Sequence, residues 1–224
     1  MPVPVLSTLA IVIPVGPGDR AWHGLVEQLL QLASRPRILL VFAEGDAQSA
    51  AVPNHCVALS APAGRAHQLN AGIATADAEW LWLLHADSRL QADTWPALIE
   101  YLATTPRALG WFRLAFDRDG PPVMVLNALG ANLRAHRLGL PFGDQGFVLH
   151  RDDAARLGQF DPSLAFGEDH AMVWRARRIG LPLQHINGTL VTSARKYAEQ
   201  GWWRTTMQHL RLTASQAKQE SQRR

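Results

Sequence analysis

Short unbroken apolar runs alternate with helically spaced ones along the first half of the chain. Leu9–Val15 and Ile38–Phe42 are continuous apolar stretches, and Trp80–Leu84 sets five large apolar residues in a row. Runs this short, without helical spacing, predict strands buried on both faces, as in the centre of a parallel sheet. His55–Leu59 predicts a weaker strand. Between the strands, Trp22, Leu25, Val26, Leu29 and Leu32 fall at helical spacing, and Pro36 stops that helix. Gly64–Gly72 reads as a second helix, entered through a glycine turn. Asp93–Leu102 reads as a third, with Trp95, Leu98, Ile99 and Leu102 on one face and Asp93 or Thr94 as its cap.

The second half is less regular. Leu109–Phe116 alternates, which predicts a strand with unlike faces, and Val123–Leu138 predicts an amphipathic helix with basic residues at its end. Gln145–Leu149 predicts a short strand and Asp152–Leu157 a short helix stopped by Gly158. Phe166-Gly167-Glu168-Asp169-His170 leads into a strong helix, Ala171–Ile179, which Gly180 ends. Leu181–Ile186 and Thr189–Val191 predict late strands, and Trp202–Gln219 a last helix. There is no internal repeat. Regular strand–helix alternation followed by an irregular half predicts an α/β fold: a nucleotide-binding half, then an elaborated half suited to a second substrate.

Composition adds limits. A chain of 224 residues, 47% hydrophobic and 18% charged, fits one domain or one domain with an extension. The net charge of +3 does not argue for nucleic acid. The basic excess is local: residues 195–224 hold seven Lys or Arg against Glu199 and Glu220, more positive than the chain as a whole. That segment is suited to phosphate, anionic lipid or an acidic partner, or else is a solvated helix. Trp202, Trp203, Arg204 and Arg211 would make an interfacial face, unless the tryptophans anchor a terminal helix in the core. Cys56, the single cysteine, excludes an intramolecular disulfide and fits a reducing compartment. The apolar N-terminus lacks a basic start and is broken by Pro4 and Pro14, so it is a poor signal peptide. No window reaches the length of a spanning helix. The expected location is cytoplasmic, with peripheral contact at the inner face of the membrane through the C-terminal helix.

The chemistry gathers where strands stop. Trp80–Leu84 ends in His85-Ala86-Asp87-Ser88, and strand periodicity puts His85 and Asp87 on one face. Ligands of open α/β sheets bind beyond the carboxyl ends of central strands. Asp87, Asp144 and the pair Glu168-Asp169 all stand at element boundaries. A hard cation, Mg²⁺ or Mn²⁺, takes oxygen ligands, typically one or two carboxylates plus substrate phosphates. Asp87 with His85 suits a cation that arrives with a diphosphate better than a structural metal. Arg65, near a helix start, suits a phosphate, or is a surface charge. Glu168 and Asp169 in a first helical turn stabilise the macrodipole by ~0.3–1 kcal/mol. A carboxylate held there also suits proton removal from an attacking hydroxyl. Gly16-Pro17-Gly18 lacks the third glycine of a dinucleotide loop, and neither a Walker lysine loop nor a Gly-x-Ser-x-Gly elbow is present.

In order along the chain stand Ile11-Val12-Ile13-Pro14, the stretch Gly64–Gly72, Trp82–Ser88, Gly143-Asp144-Gln145-Gly146, Gly167-Glu168-Asp169 and Thr192-Ser193-Ala194-Arg195. Together they resemble a family 2 glycosyltransferase of GT-A fold, closest to the small bacterial radical-SAM/selenodomain-associated transferases. The resemblance runs from about Leu9 to Thr205. It implies an α/β domain of GT-A type over residues 1–205, with a mostly parallel central sheet flanked by helices. Residues to about 108 would bind the nucleotide sugar and residues 109–205 the acceptor, with a basic C-terminal helical extension at 206–224. It implies a metal-assisted, inverting transfer from a nucleotide-diphosphate sugar to an acceptor hydroxyl. Asp87 would contact the cation and diphosphate, with His85 standing where the family has the first acid of its Asp-x-Asp motif. Arg65, Asn70 and Arg195 would hold the donor diphosphate, Asp144 and Gln145 would border the acceptor, and Asp169, beside Glu168, would be the base. The acid that usually follows the first strand is displaced to Asp19, and the position after the second strand is Ala43, with Glu44 and Asp46 nearby. Two other readings remain. A nucleotidyltransferase would need a lysine in the loop Gly16–Arg20, which has none. A non-catalytic transferase relic would bind a membrane or partner protein. The altered acids at Ala43 and Gly18 favour the relic, and the Glu168-Asp169 pair disfavours it.

Overall fold

The apolar runs form the middle of an eight-stranded sheet. The computed structural model describes residues 8–32, 36–104, 107–164, 167–207, 211 and 215. Its strands are β1 (Leu9–Val15), β2 (Arg37–Ala43), β3 (Cys56–Ala61), β4 (Trp80–Leu83), β5 (Arg89–Leu90), β6 (Leu109–Phe116), β7 (Phe147–His150) and β8 (Leu183–Thr192). They lie in the order β3-β2-β1-β4-β7-β6-β8-β5. β1 pairs in parallel with β2 and β4, β2 with β3, and β6 with β8. Only β7 and the two-residue β5 run against the rest. The helices are α1 (Trp22–Leu30), α2 (Arg65–Thr75), α3 (Thr94–Thr104), α4 (Met124–Leu138), α5 (Arg151–Leu157), α6 (Glu168–Arg178) and α7 (Arg195–Gln200).

Strand periodicity divides the apolar side chains between two layers. From β1 and β4, Leu9, Ile11, Ile13, Trp80 and Trp82 enter the layer that also holds Trp22, Leu25, Leu98 and Tyr101 of α1 and α3. Ala10, Val12, Leu81 and Leu83 enter the other, with Leu69 of α2 and Met172 and Val173 of α6. Each large side chain so buried contributes about 1.5–3 kcal/mol. That explains why β1, β2 and β4 read as continuous apolar runs rather than alternating ones. α2 lies so close to β1 that a Cβ on Gly72 would collide with Val12.

Several elements differ from the sequence expectation. The two late strands are one, β8, whose pairing with β6 slips between Phe112↔Ile186 and Arg113↔Thr189. Within that bulge Gly188 faces α3, where a Cβ would sit 2.9 Å from that of Ala97. The strand expected from Gln145 starts at Phe147, because Gly143–Gln145 forms a 3-10 turn and Gly146 takes φ +62°. α4 is amphipathic in the reverse sense: Met124, Ala131 and Ala135 are buried, while Leu126, Leu129 and Leu133 are exposed. The last expected helix is preceded by α7 and by a turn at Gly201, φ +84°. It is helical over 202–207, and the rest of it, apart from 211 and 215, lies outside the described residues. Among the described residues, no helix is long and apolar enough to cross a membrane.

Candidate active site

Strand order reverses at β1 and β4, whose chain connections leave in opposite directions across the sheet. A crevice opens above such a switch point. There a cleft of about 690 Å³ is lined by residues from one edge of the sheet. Phe116 ends β6, Thr192 ends β8, and His85 and Asp87 follow β4. Asp144 precedes β7, which runs the other way and so begins at the same edge. Two helix N-termini complete the wall: Gly64–His67 at the start of α2, and Gly167–His170 at the start of α6. Gly64 and Gly167 enter these helices with φ of +129° and +82°, conformations that favour glycine. α2 thus turns first-turn backbone amides toward the cleft, a setting suited to anions, whereas the first amides of α6 are taken by its own acids, His170 N–H by Asp169 and those of Gly167 and Glu168 by Glu168.

The sequence-predicted residues separate into those inside the cleft and those outside it. Arg65, His85, Asp87, Asp144, Glu168 and Asp169 all line it. Arg65 Nε lies 3.4 Å from Glu168 Oε1. Asp169 Oδ2 accepts the Gly143 N–H at 2.6 Å and Oδ1 the His170 N–H at 2.8 Å. Burial alone would raise the Asp169 pKa, but Arg65 and these two amides hold it below the ordinary carboxylate value. Glu168 goes the other way, raised by burial and by the neighbouring Asp169 against the pull of Arg65. Gly143 is required here, since a Cβ would run into the Arg65 guanidinium and lie 2.9 Å from Asp169 Oδ2.

Asp144 is lifted by burial to about 6, with Arg134 pulling it back and Asp169 and Asp87 raising it further. Its Oδ1 is buried without a hydrogen-bond partner, as is Nε2 of His85. Burial and the Arg65 charge push His85 down to about 3, so its ring is neutral at ordinary pH. Burial also raises Asp87, whose Oδ1 accepts from the Thr192 hydroxyl at 3.3 Å.

The other predicted residues have different duties. Asn70 is no wall of the cleft: its side chain donates to Phe160 O and accepts from Phe160 N, both at 2.8 Å. Gln145 is fully buried, accepting the Phe142 N–H at 3.1 Å and donating to Phe112 O at 3.1 Å. It shapes the turn that carries Asp144 and does not border the cleft. Arg195 stands exposed at the rim, 3.8 Å from Asp19. Asp19 also accepts the Ala21 N–H, and Asp46 accepts those of Gly18 and Gln48, so both acids hold their own turns. Phe166 lies outside the described residues.

Sequence reasoning missed Arg134, Phe142 and Tyr197, and quoted Thr192 in a motif without giving it a role. Arg134 stacks 3.6 Å over the Phe142 ring and sits next to Asp144. In the sequence it was one of several basic residues at a helix end, with no local sign of which would turn inward. Thr192 opens the motif that ends at the predicted Arg195, and Lys196 and Tyr197 follow it, so that motif marked the right segment.

A family model described as "Glycosyl transferase family 2" matches residues 46–161. No curated protein sequence matches the chain. Among solved structures, the chain is similar to TarS of S. aureus, at 10% identity and TM-score 0.63, over 85% of this chain and 37% of that one. It is similar to mannosyltransferase PcManGT from Pyrobaculum calidifontis, in complex with GDP-Man and Mn²⁺ (15% identity, TM-score 0.64, 95% of this chain and 64% of that one). It also resembles glucosyl-3-phosphoglycerate synthase from Mycobacterium tuberculosis, in complex with Mn²⁺, UDP and phosphoglyceric acid (16% identity, TM-score 0.61, 89% and 75%). The chain thus spans less than two thirds of the first two proteins. At these identities the likeness is one of fold, and that fold is of GT-A type.

Proposed function

The chain belongs to glycosyl transferase family 2, and we propose that it transfers a sugar from a nucleotide-diphosphate donor to an acceptor hydroxyl, with inversion. The observation that carries this reading is the meeting of Arg65, Asp87, Asp144 and Asp169 in one cleft beneath two helix N-termini. Cationic and amide donors suit a diphosphate, and a separate ionised carboxylate suits an incoming hydroxyl. The motif order along the chain supports placement near the radical-SAM/selenodomain-associated branch.

The residues fit a divalent cation that brings ligands of its own. Asp87 is raised by burial, and His85 Nε2 and Asp144 Oδ1 are orphaned. Yet among the described residues no three His, Cys, Asp or Glu groups form a metal cage. Mg²⁺ or Mn²⁺ completed by diphosphate oxygens is consistent with both facts, and the solved complexes with Mn²⁺ support the choice. Asp87 would hold it, with His85 beside, and when bound it supplies Lewis-acid neutralisation of the leaving diphosphate.

The remaining steps belong to the chain. Arg65 and the α2 amides bind and orient the diphosphate. Asp169 is kept ionised, and each of its oxygens retains a lone pair beyond the amide it accepts. It takes the acceptor proton as the hydroxyl oxygen bonds to the anomeric carbon. The bond from that carbon to the diphosphate breaks on the opposite side, its electron pair leaving with the phosphate oxygen. Glu168 anchors Arg65 against this pair, and Asp144 orients the acceptor. Arg195, at the rim, meets the donor diphosphate only after parting from Asp19. Residues to about 108 form the donor half, and 109–205 the acceptor half, of a cytoplasmic enzyme.

Binding and turnover of nucleotide sugars test this assignment. Asp87→Ala should lose Mn²⁺-dependent donor binding. Asp169→Asn should keep donor affinity and lose turnover by about 10²-fold or more. Wild-type binding and turnover in both variants would sink it. A non-catalytic binding module is the second reading, favoured by the commitment of Asp19 and Asp46 to backbone amides. No nucleotide release from any donor, despite binding, would establish it instead.

A further inference from the structure

The α4 helix exposes what an amphipathic helix normally hides. Val125, Leu126, Leu129 and Leu133 are 73, 60, 64 and 55% exposed. At 3.6 residues per turn they form one stripe, opposite the buried Met124, Ala131 and Ala135. Gly130 lies beside them with open space where a side chain would be. From Gly120 to Leu133 the sequence carries no charge at all, and it then turns basic at Arg134, His136 and Arg137.

Trp203, on the segment 202–207 that packs along α4, is 66% exposed. Its ring lies 5.8 Å from that of Trp202. Trp202 donates to Asn127 on α4 at 2.9 Å, and Asn127 donates in turn to Thr206 at 3.0 Å. The segment 202–207 is thereby fastened along α4. Arg137, one turn beyond Leu133, and Arg204, beside Trp203 in the chain, are exposed, and residues 195–224 are basic in excess.

We propose that this face, the α4 stripe with Trp203, seats the protein on an anionic lipid bilayer. Charge selects that occupant. A charge-free aliphatic stripe beside an exposed indole and basic residues complements acyl chains beneath anionic headgroups. A second copy of the chain fits poorly, because four side chains along about 12 Å of helix fall short of the ~800 Å² per partner of a stable interface. The stripe extends the contact expected of the C-terminal helix alone, since most of the apolar surface comes from α4. It also bears on the cleft. α4 carries Arg134 over Phe142, and Met124 packs with Tyr197, so the acceptor side of the cleft lies behind the same helix, across it from the stripe. Docking there would place α4 between the bilayer and that side of the cleft.

Co-sedimentation of the full chain with phosphatidylcholine vesicles, with and without phosphatidylglycerol, tests the proposal. Binding should be strong only with the anionic lipid, and the Trp203 emission should shift to the blue on binding, a shift lost in Trp203→Ala. Leu129→Glu with Leu133→Glu should weaken binding by about tenfold or more without altering the thermal midpoint, because both side chains are already exposed. Leu138→Glu, exposed but off the stripe, should leave binding unchanged. Absence of binding to anionic vesicles, or binding indifferent to the stripe variants, would overturn the proposal. So would concentration-dependent self-association abolished by those variants, which would make the face a contact between copies. Vesicle binding requires no donor, so its failure leaves the catalytic assignment intact, and the reverse also holds.

Discussion

Three carboxylates within one cleft differ because their surroundings differ. Asp169 is held low by Arg65 and two backbone amides, Glu168 is raised by burial and by Asp169, and Asp144 is lifted to about 6. Pairs of acids pushed apart in this way are a mark of acid–base chemistry. The sequence located all three but could not rank them, since rank depends on burial and on neighbours distant in the chain. The Asp144 shift has a signed consequence. Below about pH 4 its carboxyl is protonated in both folded and unfolded chains, and from about 4 to 6 the unfolded chain ionises first. Stability due to this group therefore falls as pH rises through that window, by roughly 2 kcal/mol. Asp144→Asn should melt like the parent near pH 4 and above it near pH 7. A difference in midpoint that does not grow with pH would refute the lifted value.

At the scale of elements, two amide side chains hold the frame of the site. Gln68 of α2 donates to Val15 O at 2.6 Å and Val41 O at 2.8 Å, clasping the ends of β1 and β2. Asn70, two residues on, fixes Phe160 in the loop after α5. The family resemblance implied a donor contact for Asn70, and the fold gives it a brace. Asn70→Ala should therefore cost about 1–3 kcal/mol in urea unfolding and leave donor affinity within about twofold. A weakened donor with unchanged stability would restore the contact. Strand and helix identities were largely legible because they follow local period. The bulge in β8 was not, since Asn187-Gly188 reads as a turn until β6 is found to continue past it.

For the whole molecule, the sheet decides which motifs meet. β4, β6 and β8 end at one edge, and the reversed β7 begins there, so segments spread from Gly64 to Tyr197 share a cleft. A donor held across it binds the folded chain alone. At about 100 times Kd such a ligand adds ~2.7 kcal/mol, which for a chain of this size raises the melting midpoint by roughly 5–10 °C. The rise should require Mn²⁺ or Mg²⁺ and vanish in Asp87→Ala. A panel of nucleotide sugars giving no shift with either cation would count against donor binding.

The sequence by itself determined the layered α/β plan and the chain positions of its acids, because periodicity and strand-end chemistry are local properties of neighbouring residues. The tertiary structure alone decided that Asn70 and Gln145 brace, that Arg134 turns inward, that Asp144 is lifted, and that the leucines of α4 face outward. Each of these depends on a partner, or a missing partner, far along the chain: Asn70 and Phe160 are 90 residues apart. Burial and hydrogen-bond pairing at that separation are set only when the sheet closes, and no local pattern encodes them.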